Sequence, residues 1–167
     1  MTKVRIFENL AEDELKDLFD SCEFLEYANG ETIIAQDEVS HHLYGILQGG
    51  VEIYIKSKEG ERILLGHVGQ GDIVGEASIF LDVKRTADVT AKGPVQAVKI
   101  SREKLINFVN SSAKAGVKIF GYIIFSLLHK LKGANEEILF EKQATISAKD
   151  LERLKNFFAP SIEDYIK

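Results

Sequence analysis

The chain has 167 residues and a mass of 18.7 kDa, which leaves room for one domain of ordinary size and excludes a large two-domain enzyme. Hydrophobic residues make up 45% of it and charged residues 28%, a globular composition that excludes a disordered, fibrous or membrane-embedded chain. The net charge is −5, and no dense basic stripe of the kind that binds a phosphate backbone is present in the sequence.

The cellular location of the protein is predicted from the cysteine count and from the most apolar stretches of the sequence. The single cysteine, Cys22, permits no internal disulfide and belongs to no cluster of metal ligands. Residues 1–20 mix charges throughout and lack the apolar core of a signal peptide. Residues 119–128 are strongly apolar but fall short of the roughly 20 residues that a membrane span needs. We therefore expect a cytoplasmic protein without a membrane partner.

The first predicted element is a short helix over about residues 10–21. Asn9 followed by Glu12 is typical of a helix start with a capping-box carboxylate. Leucines and a phenylalanine then recur at helical spacing, which predicts one buried face.

Short β-type runs separated by glycine follow from Cys22 to Ile100. Thirteen glycines against two prolines favour tight turns of positive φ, and glycines lie between successive runs, Gly49-Gly50 among them. Eight such runs predict a mainly β fold, an antiparallel jelly-roll (double-stranded β-helix) barrel with an N-terminal helix and C-terminal helices. The runs are Phe24–Tyr27, Thr32–Ala35, Leu43–Leu47, Val51–Lys56, Arg62–His67, Ile73–Val74, Ala87–Ala91 and Val95–Ile100.

Helical periodicity returns after Ser101, which is placed to cap a helix over about 102–109. A longer helix from about 113, to 132 or beyond, carries an apolar row at spacings of three and four. The barrel or the same helix of a second copy can cover that row, and its regularity favours a homodimer through residues 113–141. Gly133 is a candidate helix stop. The row consists of Val117, Phe120, Ile124, Leu127, Leu131, Ala134 and Ile138.

The domain prediction assigns residues 1–132 to one domain that includes the long helix. Residues 133–167 are predicted as a helical C-terminal extension without a domain of its own. Within it, Ser147 and Asp150 form a capping-box pattern before a last short helix that Pro160 follows.

The stretch from Gly71 to Ala91 carries the residues suited to a ligand. Gly75 permits close backbone approach, and residues 76–79 can form a helical turn whose free N–H groups attract an anion. Arg85 supplies a planar charged fork for two phosphate oxygens, and Glu76 can accept from a sugar hydroxyl. One arginine without a P-loop lysine or a Mg²⁺ ligand set suits a singly charged phosphate, such as a cyclic phosphodiester.

From about Phe7 to Leu131 the sequence resembles the cyclic nucleotide-binding domain family, which includes catabolite activator protein, regulatory subunits of cAMP-dependent kinase and cyclic nucleotide-gated channels. The specific part is the phosphate-binding cassette, here residues 75–87. Its Gly-Glu, eight further residues and Arg-Thr-Ala stand here as Gly75-Glu76 and Arg85-Thr86-Ala87. Weaker similarities lie at residues 7–10, 30–31, 43–44 and 49–52.

The resemblance implies cAMP or cGMP as the ligand and assigns roles within the cassette. Glu76 would bind the ribose 2′-hydroxyl and Arg85 the cyclic phosphate, with backbone amides near Ala77 and Thr86 assisting. Ser78 and Ala87 belong to the same binding segment. Ala77 replaces a larger aliphatic residue and Lys84 a proline or small residue usual in the family. Thr86 occurs in members of either preference, so the base stays open.

The long helix holds the candidates for closing over the base. Ser126 and His129 are predicted to contact the purine, with Phe125 or Leu128 as an apolar lid. Surface or dimer contacts are the alternative roles for these four residues.

Several residues of the sequence are also compatible with roles other than nucleotide binding. Arg85 could pair with Asp82 or Asp88 at the surface, a structural role without a ligand. His41 and His42 invite a metal site, but neighbouring strand residues point to opposite faces, so we predict no metal. The sequence pattern indicates neither a nucleophile with its base nor a carboxylate pair, so we expect no catalytic residues, no enzyme activity and no cofactor.

The predicted function is a sensor that binds cAMP or cGMP without turnover and signals through helix movement to an unknown effector. The 25 residues from 143 onward are too few for a winged helix-turn-helix, so direct DNA binding is not expected. The alternative is a nucleotide-independent interaction or dimerisation module that keeps the fold. A regulatory chain acting in trans on a catalytic subunit is a third possibility.

Overall fold

The computed structural model describes residues 4–142, and side chains up to residue 133. A 3₁₀ turn, Arg5–Phe7, precedes ten helices and strands in the described residues. In chain order these are α1 (Glu12–Asp20), β1 (Glu23–Tyr27), β2 (Thr32–Ile34), β3 (His42–Lys56), β4 (Arg62–Gly69), β5 (Ile73–Val74), α2 (Ala77–Phe80), β6 (Asp88–Ser101), α3 (Arg102–Ser111) and α4 (Ala113–Lys142).

Two long strands replace four of the predicted short ones. The runs expected on either side of Gly49-Gly50 form the single strand β3, and those on either side of Gly93 form β6. The prediction of a turn at Gly49-Gly50 is therefore wrong. Register shifts lie on both sides of Gln48, and Gly49, with φ +84°, passes so close to β6 that a Cβ would lie 2.3 Å from the Pro94 carbonyl oxygen. Here glycine serves to bulge a continuous strand.

The predicted antiparallel jelly roll is confirmed. The first half of β3 pairs with β5 and the second half with β4, while both halves pair with β6. The first half of β6 in turn pairs with β2 and its second half with β1. The strand orders β1-β6-β3-β5 and β2-β6-β3-β4 therefore share the two long strands, which carry the chain from one layer of the barrel into the other.

Successive side chains of β3 and β6 point to opposite faces and so contribute to two separate hydrophobic cores. Inside the barrel lie Ile46, Val51, Val95 and Ala97, packed with aliphatic residues of β2, β4 and β5. The second core lies between the barrel and the helices, where Leu43 and Ile100 pack with residues of α1, α3 and α4. Each strand thus has one face in each core over part of its length.

The two predicted helix starts have different outcomes. Asn9 is not the cap of α1: the helix begins later, and the Ala11 N–H donates to Glu14 Oε2 at 2.9 Å. The Glu14 carboxylate, three residues after Ala11, therefore satisfies the Ala11 N–H at the start of the helix. No capping side chain is required at Asn9. Ser101 does cap α3, since its hydroxyl accepts from the Lys104 N–H at 3.2 Å.

Helix α4 continues through Gly133, so the glycine does not stop it. Two neighbouring rows of side chains dock the helix on the rest of the domain. One row is apolar and consists of Ala115, Ile119 and Ile123, all buried. The polar row, one residue every turn, reaches carboxylates and one carbonyl of the domain. The polar row consists of Lys118, Tyr122, Ser126 and Lys130, whose carboxylate partners are Glu14, Asp72 and Glu76.

The apolar row predicted for the dimer is split between two environments. Val117, Ile124 and Leu131, spaced seven apart, are 48%, 47% and 57% exposed, whereas Phe120 and Leu127 pack on the domain. The side chains of Ala134 and Ile138, and the predicted helix after Ser147, lie outside the described residues. Among the helices described, none is long and apolar enough to cross a membrane.

Candidate functional site

A cavity of ≈ 230 Å³ opens between the barrel interior, the cassette and α4. Aliphatic side chains of β2, β3, β5 and β6 form its inner wall. The cassette supplies residues 75–78 and 83–87, so all seven cassette residues predicted as ligand-binding meet here. The remaining lining residues are Ile34, Ile53, Val74 and Val89 of the barrel, with Leu127 and Lys130 of α4.

Gly75 sets the shape of the cassette. Its φ is +87°, a conformation that L side chains rarely adopt, and a Cβ there would lie 2.8 Å from both Arg85 Nη1 and the His42 carbonyl oxygen. The residue therefore has to be glycine both for its backbone conformation and for the approach of Arg85. The short helix α2 follows directly after Glu76, and the Ser78 hydroxyl donates back to the Gly75 carbonyl at 2.9 Å.

Arg85 lies in the cavity wall with only 6% of its surface exposed. Its Nε donates to the Ser40 hydroxyl at 3.0 Å, and its Nη2 donates to the His42 carbonyl at 2.8 Å. Its Nη1 donates to the Ser78 hydroxyl at 2.5 Å and to the Gly75 carbonyl at 3.2 Å. All four acceptors are neutral, so among the described side chains no hydrogen-bonded carboxylate balances the buried charge.

The surroundings of Arg85 exclude the surface ion pair considered above. Asp82 instead pairs with Arg102, and Asp88 with Lys56. Burial lowers the pKa of Arg85, and nearby Tyr44, Glu38 and Glu76 partly offset that effect. An arginine stays protonated in such a setting. The site therefore presents a buried cation to the cavity.

Main-chain bonds hold the end of the cassette against the loop between β2 and β3. The Arg85 N–H donates to the Glu38 carbonyl at 2.8 Å, and the Asp37 N–H donates to the Arg85 carbonyl at 2.9 Å. Together with the Ser40 contact, this loop fixes both the backbone and the side chain of Arg85. Sequence reasoning missed Ser40, since nothing in its spacing marks it as a neighbour of residue 85.

Glu76 is the carboxylate of the site and is 5% exposed. Its Oε1 accepts from the Ser126 hydroxyl at 3.0 Å and from the Lys130 ammonium. Lys130 also donates to the Ile73 carbonyl at 2.8 Å, so this side chain bridges α4, β5 and the cassette. Glu76 and Arg85 thus face one cavity without pairing with each other through a hydrogen bond.

The helix residues that line the cavity differ from the four predicted. The structure turns Leu127 and Lys130 toward it, and of the predicted set only Ser126 reaches the cassette, through Glu76. Phe125 is 51% exposed, and its ring centroid lies 4.8 Å from that of His129. Neither they nor Leu128 line the cavity in this structure. Lys130 stands four residues after Ser126, a spacing that could have identified it.

The two histidines considered for a metal site, His41 and His42, make unrelated contacts. His41 Nε2 is 3.4 Å from Asp82, whereas His42 uses its main-chain carbonyl to hold Arg85. Among the side chains described, those of residues 4–133, no three His, Cys, Asp or Glu gather in a way that could hold a metal ion.

Similarity to known proteins covers the barrel and the cassette. A family model described as "Cyclic nucleotide-binding domain" matches residues 24–112. The cAMP-activated global transcriptional regulator CRP of Salmonella typhimurium is 36% identical over 84 residues, which are 50% of this chain and 40% of that protein. The match thus spans well under half of this curated relative.

Solved structures are similar over a longer part of the chain. A cyclic nucleotide-binding domain from Methylobacillus flagellatus aligns with a TM-score of 0.75 at 20% identity, covering 87% of this chain and 82% of that one. The catabolite activator protein of Thermus thermophilus aligns with a TM-score of 0.66 at 22% identity, covering 80% of this chain and 61% of that one. At these identities the alignments show a common fold.

Proposed function

Because the chain belongs to the cyclic nucleotide-binding domain family, we propose that it binds cAMP or cGMP in the cavity between the cassette, the barrel and α4. The ligand is bound without turnover. In this proposal Arg85 takes the cyclic phosphate, Glu76 takes the ribose 2′-hydroxyl, and the purine lies toward the barrel wall and α4.

The observation that carries the proposal is the buried guanidinium of Arg85, which within the described part of the chain has four neutral hydrogen-bond acceptors and no bonded carboxylate. Burying an unbalanced cation is unfavourable, and an anion delivered into the cavity relieves that cost. A cyclic phosphodiester carries one negative charge, which matches the one buried arginine. Four of the five N–H groups of Arg85 have acceptors among the described residues. The fifth, on Nη2, is left for a phosphate oxygen, and a second phosphate contact exchanges one of the four.

The rest of the cavity suits a nucleoside. Glu76 provides a charged acceptor for a sugar hydroxyl at one end, and such hydrogen bonds are stronger than neutral ones. The aliphatic side chains of Ile34, Ile53, Val89 and Leu127 offer apolar area for a purine ring.

We also propose the route by which binding becomes a signal. Glu76 is bonded to two residues of α4, so a ligand at Glu76 acts directly on that helix. The exposed residues Val117, Ile124 and Leu131 lie on one face of α4, which supports pairing of two copies through it. In such a homodimer, ligand binding changes the relation of the two helices and is read by an effector protein.

Calorimetric titration of the chain with cAMP and with cGMP tests the proposal. We expect binding of at least one of them, and we expect Arg85→Ala to weaken it about a hundredfold, near 3 kcal/mol, because the phosphate loses its cation. The matched control is Arg62→Ala, which removes the same charge from an arginine that stacks on Tyr54 outside the cavity lining. That variant should bind as the wild type does.

The alternative function is a dimerisation module that has lost the ligand, and the exposed face of α4 favours it as well. A folded wild-type chain that binds neither nucleotide would support this alternative and overturn the proposal. Equal losses in Arg85→Ala and Arg62→Ala would overturn the assignment of the phosphate site.

A further inference from the structure

Two donors from α4 converge on a single oxygen of the cassette carboxylate. The Ser126 hydroxyl and the Lys130 ammonium both donate to Glu76 Oε1. Within the part of the chain whose side chains are described, no donor reaches the other oxygen, Oε2. The carboxylate is therefore held from one side only, and the held side is the one toward α4.

The Lys130 ammonium is itself fixed. It also donates to the Ile73 carbonyl on β5 at 2.8 Å, so its position is set by the barrel as well as by the cassette. A donor anchored in this way restricts the rotation of the carboxylate that it binds. It also places an opposite charge beside a carboxylate that is only 5% exposed.

Resting on the proposed function, we infer that Lys130 and Ser126 are positioning residues for ribose recognition: they hold Glu76 Oε1 and leave Oε2 to accept from the ligand 2′-hydroxyl. Selectivity for ribose over 2′-deoxyribose is then determined partly by α4, outside the cassette itself. Removal of Lys130 frees the carboxylate to rotate, and the cavity then loses an acceptor of fixed position.

Two other roles for Lys130 make different predictions. If Lys130 competed with the ligand for Glu76, its removal would tighten binding. If its charge served the phosphate, which Arg85 and the nearby Lys84 also face from the cavity wall, its removal would weaken all nucleotides alike. The ratio of affinities for a cyclic nucleotide and its 2′-deoxy analogue separates the three roles. Loss of Lys130 lowers this ratio if Lys130 positions Glu76, raises it if Lys130 competes with the 2′-hydroxyl, and leaves it unchanged if the charge serves the phosphate.

The experiment is calorimetric titration of the full chain with cAMP or cGMP, whichever binds more tightly, and with its 2′-deoxy analogue. We expect the wild type to prefer the ribose form about tenfold or more, as a hydrogen bond to a charged group allows. Lys130→Met should reduce that preference to about threefold or less, mainly by weakening the ribose form. Lys130→Arg, which keeps a charged donor, should retain most of the preference.

Lys114→Met is the matched control, because it removes the same charge from an exposed position on the same helix, outside the cavity lining. It should leave both affinities unchanged. Ser126→Ala, a smaller change, provides a second test if Lys130→Met folds poorly, and we expect it to lower the preference about threefold. Thermal unfolding of each variant confirms that it is folded at the titration temperature.

The inference would be overturned if Lys130→Met weakened the binding of the cyclic nucleotide and of its 2′-deoxy analogue by the same factor, or if it tightened the binding of the cyclic nucleotide. An unchanged ribose preference in both Lys130→Met and Ser126→Ala would overturn it as well. A wild-type chain that binds neither cyclic nucleotide is a different result, since it overturns the proposed function first.

Discussion

Arg102 Nη2 donates a hydrogen bond of 2.7 Å to the carbonyl oxygen of Ser78, which ties the first residue of α3 to the middle of α2. The hydroxyl of the same serine accepts from Arg85. A single cassette residue therefore connects the arginine of the cavity wall with the start of α3. A displacement of Arg85 would therefore reach α3 through one intervening residue.

Arg102→Met should lower the free energy of unfolding by about 2–3 kcal/mol, because it leaves the carbonyls of Ser78 and Leu81 without their charged donor. The loss is measured by urea unfolding. Asp82→Asn is the control, since it removes only the exposed side of the Arg102–Asp82 ion pair, where Asp82 is 81% exposed. Similar losses in the two variants would show that the ion pair, and not the carbonyl contacts, stabilises this junction.

Gly75→Ala should destabilise the chain more than Gly60→Ala. Both glycines have positive φ, +87° and +86°, but a Cβ at Gly60 would meet nothing within 4 Å, whereas one at Gly75 would meet Arg85 Nη1. We expect a loss of about 1 kcal/mol at Gly60 from backbone conformation alone, and about 2–4 kcal/mol at Gly75, where overpacking adds to it. Thermal or urea unfolding measures both. Equal losses would contradict the close contact at Gly75.

The ion pair of Glu14 with Lys118, at 3.0 Å, should make stability depend on pH in the acid range. A hydrogen bond from the Ala11 N–H, followed by the contact with Lys118, lowers the pKa of Glu14 despite partial burial. A carboxyl with a lowered pKa stabilises the fold above the ordinary glutamate value of about 4.3, and this contribution is lost as the pH falls through the folded-state pKa.

Glu14→Gln should accordingly lower the free energy of unfolding by about 1–2 kcal/mol at neutral pH, with the difference from wild type shrinking at acid pH. Urea unfolding across pH measures this. Glu12→Gln, at an exposed position of the same helical turn, should show a smaller effect. A difference at Glu14 that stays constant down to low pH would contradict the assignment.

Pairing of two copies through α4 should be lost in Ile124→Asp. Ile124 lies at the middle of three exposed apolar residues spaced seven apart, so a charge there would be buried between the two helices. Light scattering after size exclusion should give twice the 18.7 kDa chain mass for the wild type and a single mass for the variant. Val39→Asp, which also charges an exposed apolar residue, should remain paired. A monomeric wild type would exclude the homodimer.

Local sequence pattern was sufficient for the barrel and the cassette because both depend on short-range features. Alternating apolar residues and the Ser101 cap are determined within a few residues of chain, and the Gly75-Glu76 and Arg85-Thr86 pairs stand at a fixed separation. The bulge at Gly49 could not be predicted in the same way. A glycine with positive φ serves a hairpin turn and a bent strand equally well, and only the partner strand decides between them.

The α4 side of the cavity was predicted less well for a related reason. Helical spacing shows which residues share a face, but the rotation of the helix about its axis depends on what it packs against. Here Ile119 and Ile123 enter the core, and that rotation brings Leu127 and Lys130 to the cavity while turning Phe125 outward. Lys130 was overlooked because an isolated lysine on a helix is ordinarily a solvated residue.

The four-residue spacing of the polar row limits how α4 can travel. Axial sliding by one residue, about 1.5 Å, would shift all four donors relative to their acceptors at once, whereas a tilt about the junction at Ser112 would shift them by unequal amounts. In such a tilt the contacts farthest from Ser112, those of Lys130 and Ser126, would separate first. The contact of Lys118, close to Ser112, would change least. A tilt of about 10° would carry the far end of this 30-residue helix roughly 8 Å, amplifying a small event at Glu76.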